Sequence, residues 1–204
     1  MTTIEVAQAI GTVINLEKLL PSAGIPTVQS LRPKKMREVG QNQYSGNYGL
    51  GSFPLHTDLA HWALSPHYFL LRCVVGSNDV FTYVLTWAPI LDLVGPIVLQ
   101  KAVFSARRRR IGYSGLVRAM THLNGADIFR WDPIFLKPLN QDARILASTM
   151  HDSTRDCGVV RILLNKPGDT LIVDNWRALH GRSEVTSQGI SRRVDRVYLS
   201  EVLQ

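Results

Sequence analysis

His56-Thr57-Asp58 sets an imidazole and a carboxylate two residues apart. On an extended segment such residues point the same way, so both can converge on one ion. With six His and 11 Asp among 204 residues, about 0.3 His-x-Asp matches arise by chance. By itself the pair equally describes a surface His bonded to a nearby Asp. A second imidazole, His180, lies in Asp174-Asn175-Trp176-Arg177-Ala178-Leu179-His180-Gly181-Arg182, expected just beyond the end of a strand that leaves a Pro-Gly-Asp turn. Two His and one carboxylate form the facial set that holds non-haem Fe(II) and leaves coordination positions open. Arg192 follows, the first of two Arg on one face of the last strand. An iron enzyme that uses a 2-oxoacid needs a cation for the distal carboxylate, and the planar Arg fork grips one bidentately.

The elements that must position these residues are unevenly marked. Ile4, Val6, Ile10, Val13, Ile14, Leu16, Leu19 and Leu20 fit one amphipathic helix ended by Pro21 and Gly24. Residues 25–55 are rich in Gly, Pro, Asn and Ser and predict short extended pieces and loops. Tyr68–Val75 and Val80–Trp87 are largely aliphatic and aromatic, as buried strands are. Residues 88–140 mix short apolar runs with Pro, Gly and an Arg run, and predict an irregular, lid-like insertion with some helix that helps shape the pocket. Further on, Val159–Leu164, Thr170–Val173 and Arg192–Leu199 predict strands, with a turn at Lys166-Pro167-Gly168-Asp169. In the last of these Arg192, Val194, Arg196 and Tyr198 share a face. The expectation is a single, mainly β domain over 1–204, with flanking helices.

Composition narrows the classes. A chain of this length buries roughly 70% of its unfolded surface and needs no cross-link to hold a core. Cys73 and Cys157 are the only cysteines, which excludes a disulfide scaffold and a Cys-rich zinc site. MTTIEVAQAI lacks a basic n-region and carries Glu5, so the expected setting is cytoplasmic with reduced thiols. Apolar runs are broken by Pro89, Asp92 and Pro96, short of the ~18 residues of a membrane span. The net charge of +7 comes from 17 Arg and six Lys, clustered at Arg32-Pro33-Lys34-Lys35-Met36-Arg37 and Arg107–Arg110. Such clusters suit nucleic acid, a membrane surface or an anionic small molecule, or are two solvated loops; the preponderance of Arg points towards the small molecule. No P-loop, nucleophile elbow or dinucleotide fingerprint is present.

Taken together, four blocks resemble the TauD/TfdA-like family of Fe(II)- and 2-oxoglutarate-dependent dioxygenases. They are Phe53-Pro54-Leu55-His56-Thr57-Asp58, Phe129-Arg130-Trp131-Asp132-Pro133, Pro167-Gly168-Asp169-Thr170-Leu171-Ile172-Val173-Asp174-Asn175, and Arg177 to Arg182 with Arg192 beyond. The resemblance runs from about residue 45 to the end, and it implies a double-stranded β-helix (jelly-roll) core. It also implies His56, Asp58 and His180 as iron ligands, Arg192 as the holder of 2-oxoglutarate, and Arg196 as a contact for an anionic group near the metal or a structural ion pair. Fe(II), 2-oxoglutarate and O2 would act on a small, anionic or amino-acid-like substrate, releasing succinate and CO2.

Hydroxylation is the expected outcome, and desaturation or ring closure uses the same ligands. A halogenase needs the carboxylate position vacant, which Asp58 fills. The competing readings are a non-catalytic jelly-roll binding protein and an oxygenase acting on nucleic acid or protein. Two departures stand out. Where the family has a Gly-Gly-x-Thr turn, Ser77-Asn78-Asp79-Val80 stands here, and Thr82 is the substitute on the same strand face. The chain is also short for the family, so a reduced lid, or one completed by another chain, is expected. His61 and His67 are read as core or supporting residues, His122 and His151 as surface, and Trp131 and Trp176 as core packing.

Overall fold

The computed structural model describes residues 1–106, 115–152 and 158–203, the side chain of residue 152 excepted; Arg107–Arg110 and Cys157 lie outside the described residues. In chain order the helices are α1 (Thr3–Ile10), α2 (Leu16–Leu19), α3 (Tyr44–Tyr48), α4 (Ala88–Val94), α5 (Pro96–Lys101) and α6 (Gln141–Asp152). The strands are β1 (Gly11–Val13), β2 (Gln29–Leu31), β3 (Phe53–His56), β4 (Tyr68–Val75), β5 (Phe81–Thr86), β6 (Val103–Ala106) and β7 (Leu116–Arg118). They continue with β8 (Met120–Leu123), β9 (Ala126–Phe129), β10 (Leu136–Pro138), β11 (Val160–Leu163), β12 (Thr170–Asp174), β13 (Ala178–Arg182) and β14 (Arg193–Val202).

Two antiparallel sheets form the jelly roll. The major sheet runs β1-β14-β4-β12, with β2 also on β14, and the minor sheet runs β11-β5-β13-β3. Phe69, Leu71 and Cys73 of β4 face inward with Val173, Val194 and Tyr198, against Ala178 and Val84 of the minor sheet. Leu70 of β4 points the other way and packs with Val197, Leu199 and Ala7 of α1. Thus β4 is buried on both faces along Phe69–Leu71, which is why that stretch is apolar without alternation, and Arg72 follows where the outer face opens.

The single helix expected over Ile4–Leu20 is broken. Thr2 and Glu5 close a capping box at the start of α1. At Gly11 the backbone becomes extended (φ −174°) and β1 pairs with β14. A Cβ at Gly11 would lie 2.0 Å from the Glu201 carbonyl oxygen, so only glycine admits this approach. The β-branched Thr12, Val13 and Ile14 then favour strand over helix.

Between 88 and 140 the described residues form two helices, in line with the helix expected there, and strands where irregular chain was expected. Pro89 and Pro96 stand at the first turns of α4 and α5, where the missing N–H costs nothing. Beyond them come five strands of three or four residues, too short to show a periodicity. With α6, they cover the outer face of the minor sheet, where Leu85 and Leu179 pack among Trp87, Phe104, Trp131 and Leu146. Asn140 Oδ1 accepts from the Ala143 N–H (3.0 Å) and starts α6, a helix not among the expected elements although Asn140 and the spacing of Ala143, Leu146 and Met150 signal it. Among the described residues no helix is long and apolar enough to cross a membrane.

Candidate functional site

His180 lies inside β13 rather than beyond a strand end, between β5 and β3, and is paired directly with His56. A register shift follows at once, for Arg182 faces Phe53. Gly181 sits at this irregularity, where a Cβ would come within 2.7 Å of the Phe53 carbonyl oxygen. The pairing brings the His56 and His180 rings to 4.2 Å. His56 Nδ1 is 2.9 Å from the Pro54 carbonyl oxygen, to which it donates as the neutral Nδ1–H tautomer, leaving the Nε2 lone pair for an ion.

Asp58 is placed by its backbone. Its N–H donates to Asn175 Oδ1 (2.8 Å), and Asn175 Nδ2 donates to the Asp58 (3.1 Å) and Pro66 (2.9 Å) carbonyls. Asn175 is fully buried and so ties both ends of the 58–66 loop to the turn after β12. Leu59, next in the chain, has φ 54°, a strained conformation that this clamp maintains. Thr57 is fixed on Trp131, whose N–H donates to Thr57 Oγ1 (3.2 Å) while Thr57 N–H donates to the Trp131 carbonyl (2.8 Å). Beneath the loop, buried Arg130 donates to the Trp62 carbonyl at 2.7 Å. The Phe129–Pro133 block is therefore scaffolding for the loop that carries Asp58.

The three side chains converge. Asp58 Oδ1 lies 3.9 Å from His56 Nε2 and 3.8 Å from His180 Nε2, and one ligand atom from each residue falls within 4.8 Å of the others. Burial drives His56 down to about 3 and also lowers His180, so both imidazoles are neutral at pH 7. Burial pushes the Asp58 carboxyl up, but the Arg196 guanidinium bonded to both its oxygens holds it below its ordinary value. Two neutral imidazoles and an ionised carboxylate on one wall of a cavity are a donor set that fits Fe(II).

A cavity of about 810 Å³ contains this cluster together with Thr82, Arg192, Val194, Arg196 and Tyr198. Val194, Arg196 and Tyr198 share the expected face of β14, while Arg192, expected to open that strand, lies just before it and reaches the cavity across a register irregularity at Arg193/Val194. Arg192 is 8% exposed, and its Nη2 donates to Thr82 Oγ1 at 3.3 Å. Among the described residues its buried Nε has no hydrogen-bond partner and no carboxylate pairs with it. Val80, at the turn position that departs from the family pattern, is fully buried. Arg196 donates from Nη1 to both Asp58 oxygens and from Nη2 to Gln29 Oε1. Arg32 and Lys34 of the first basic cluster lie on the cavity wall.

Several supporting residues had no sequence signal. Tyr44 of α3 stacks on His56 at 3.9 Å, and Gln29 of β2 reaches Arg196. Asn175 stood inside a recognisable block, but nothing local marked its role. His61 lines the cavity beside Phe135, His67 stacks on Trp176 (3.8 Å), and His122 pairs with Asp127 on the surface.

Asp132 also lines the cavity, 1% exposed, its Oδ1 accepting from the Ile134 and Phe135 N–H groups at 2.7 Å each. Burial outweighs those bonds and pushes its carboxyl up to about 7. The unfolded chain ionises this group near pH ~4, so between there and about 7 unfolding releases a proton the native state retains. Native stability from this group therefore falls as pH rises through that window. Asp132→Asn keeps an acceptor oxygen and has nothing to ionise. In urea denaturation, the variant's stability relative to the native chain should rise between roughly pH 4 and 7 and level off above. A difference that stays constant with pH would mean that Asp132 is ionised throughout.

No family model matches the sequence, and no curated protein matches it. Solved structures do. An asparagine oxygenase in complex with Fe(II), (2S,3S)-3-hydroxyasparagine and succinate superposes with a TM-score of 0.67 at 19% identity, over 85% of this chain and 56% of that one. The non-heme iron oxygenase OrfP in complex with Fe and α-ketoglutaric acid gives a TM-score of 0.62 at 23% identity, over 86% and 57%. The chain thus has the jelly-roll fold of non-heme iron oxygenases and spans a little over half of their length.

Proposed function

We propose that this chain is an Fe(II)- and 2-oxoglutarate-dependent oxygenase of the TauD/TfdA-like type, hydroxylating an unactivated C–H bond of a small, amino-acid-like substrate. The observation that carries the reading is Arg192, a buried guanidinium without a carboxylate partner among the described residues, opening into the same cavity as His56, Asp58 and His180. A buried cation left unpaired is costly, and a carboxylate-bearing ligand relieves that cost. A dicarboxylate that reaches the metal with one end and Arg192 with the other satisfies both.

In this reading His56, Asp58 and His180 hold the iron, and Arg192 with Thr82 holds the distal carboxylate of 2-oxoglutarate. Bound Fe(II) supplies the redox chemistry that turns O2 and 2-oxoglutarate into an oxidant, succinate and CO2. The chain's own contribution is placement and shielding. Neutral imidazoles keep their lone pairs for the ion, and Asn175 keeps Asp58 at the cavity wall. Phe69 and Tyr44, packed on the His180 and His56 rings at 4.5 and 3.9 Å, keep water from the ligands. Arg196 adds positive potential for an anionic substrate group. An amino-acid-like substrate is supported by the asparagine oxygenase complex with 3-hydroxyasparagine and by the OrfP complex with (3S)-hydroxy-L-Arg. A small molecule, rather than nucleic acid, fits a site enclosed in a cavity, and a reducing cytoplasmic setting would keep both iron and Cys73 reduced.

The test is anaerobic addition of Fe(II) and then 2-oxoglutarate, followed in the visible region. A weak metal-to-ligand charge-transfer band should appear with the native chain and be lost in His56→Ala. Its absence from folded native protein would refute the proposed co-substrate.

A further inference from the structure

We infer that Arg196 is a positioning residue for the metal: its guanidinium holds Asp58 so that one carboxylate oxygen, Oδ1, is presented to the ion. The inference rests on the metal reading above. Nη1 lies 2.8 Å from Asp58 Oδ1 and 2.7 Å from Oδ2, nearly equidistant. A cationic nitrogen therefore occupies the place in front of the carboxylate that a chelated ion would take. The same Oδ1 is the oxygen that lies 3.9 and 3.8 Å from the two imidazole Nε2 atoms.

Arg196 is itself held at both arms. Nη2 donates to Gln29 Oε1 at 2.7 Å, and the guanidinium carbon sits 5.0 Å from the Tyr198 ring centre. Asn175 already fixes the Asp58 backbone, so rotation of the carboxylate is the freedom that remains, and Arg196 removes it. Two consequences follow for an ion bound by His56, Asp58 and His180. A carboxylate that gives one oxygen uses one coordination position, leaving the others to exogenous ligands. A neighbouring positive charge also lowers the basicity of the carboxylate and repels the ion. Arg196 thus weakens metal binding while keeping positions open, the reverse of the carboxylate partners that strengthen ligating His residues.

Co(II) reports this without turnover, because its visible bands change with coordination number. Native chain, Arg196→Met and Arg196→Lys would be titrated with Co(II) in the absence of 2-oxoglutarate, recording affinity, visible spectrum and the rise in Tm on metal addition. Arg196→Met should bind Co(II) about tenfold tighter, with bands altered in position and intensity and a larger Tm rise. Arg196→Lys, which keeps the charge, should return most of the native spectrum. Unchanged or weaker Co(II) affinity with native bands in Arg196→Met would overturn the inference and leave Arg196 a structural ion pair. If that variant does not fold, Gln29→Leu frees one arm of Arg196 and should alter the bands in the same sense by a smaller amount; native bands there would overturn it equally. A native chain that binds no Co(II) would overturn the metal reading itself, and the inference with it.

Discussion

His180→Ala is expected to cut 2-oxoglutarate turnover by roughly three orders of magnitude or more, with the fold retained, because the proposed function makes His180 a metal ligand rather than a packing contact. The backbone of His180 stays in the ladder between β5 and β3. The deleted ring leaves its contacts with Phe69 at 4.5 Å and His56 at 4.2 Å. That loss costs about 1–3 kcal/mol, which a domain of this size withstands. Succinate formation by the variant and the native chain, with far-UV circular dichroism as the control for folding, separates the two effects. Turnover at the native rate would remove His180 from the ligand set.

Arg192→Met is expected to move activity and stability in opposite directions. Loss of a buried partner for a carboxylate costs about 3–5 kcal/mol of binding, so the 2-oxoglutarate requirement should rise by roughly 10² to several thousandfold. At saturating 2-oxoglutarate most of kcat should survive, since the metal ligands are untouched. The protein without ligands should be as stable as the native chain or more so. Among the described residues Arg192 donates only to Thr82 and has no carboxylate partner, so its removal relieves a desolvation cost and Met fills the space. Steady-state kinetics against 2-oxoglutarate and a urea melt decide the matter. An unchanged requirement for 2-oxoglutarate, or a large fall in stability, would make Arg192 a structural residue.

Much of the site was readable because it depends on residue type and local periodicity. His56 and Asp58 were paired on the two-residue repeat of extended chain, but β3 ends at His56, and Asp58 reaches the same wall from the turn that Asn175 clamps. Val194, Arg196 and Tyr198 of β14 line one cavity by that repeat, and Arg192 joins them from just before the strand, across a register irregularity at Arg193/Val194. The core strands β4, β5, β11 and β12 agree with their expected spans to within a residue at either end, because long apolar runs between turn residues leave few alternatives. The first helix was overextended because its apolar spacing suits a helix locally, and only pairing with β14 selects a strand at Gly11. Between 88 and 140 the expected helix is present as α4 and α5, but the strands β6–β10 were missed because strands of three or four residues carry no period.

The sequence by itself determined the donor types, the alternation that aims them, and the cations that could hold an anionic ligand, since these are properties of side chains and of the two-residue strand repeat. The tertiary structure alone decided which distant residues meet. The β3/β13 register, with its irregularity beside Gly181, sets His56 against His180. Asn175, from the turn after β12, closes the loop that carries Asp58, and Thr82 rather than Val80 meets Arg192. Arg196 finds both Asp58 and Gln29 because β2 adds to the edge of β14. Each of these meetings depends on strand register and on close packing between sheets, which no short stretch of sequence encodes.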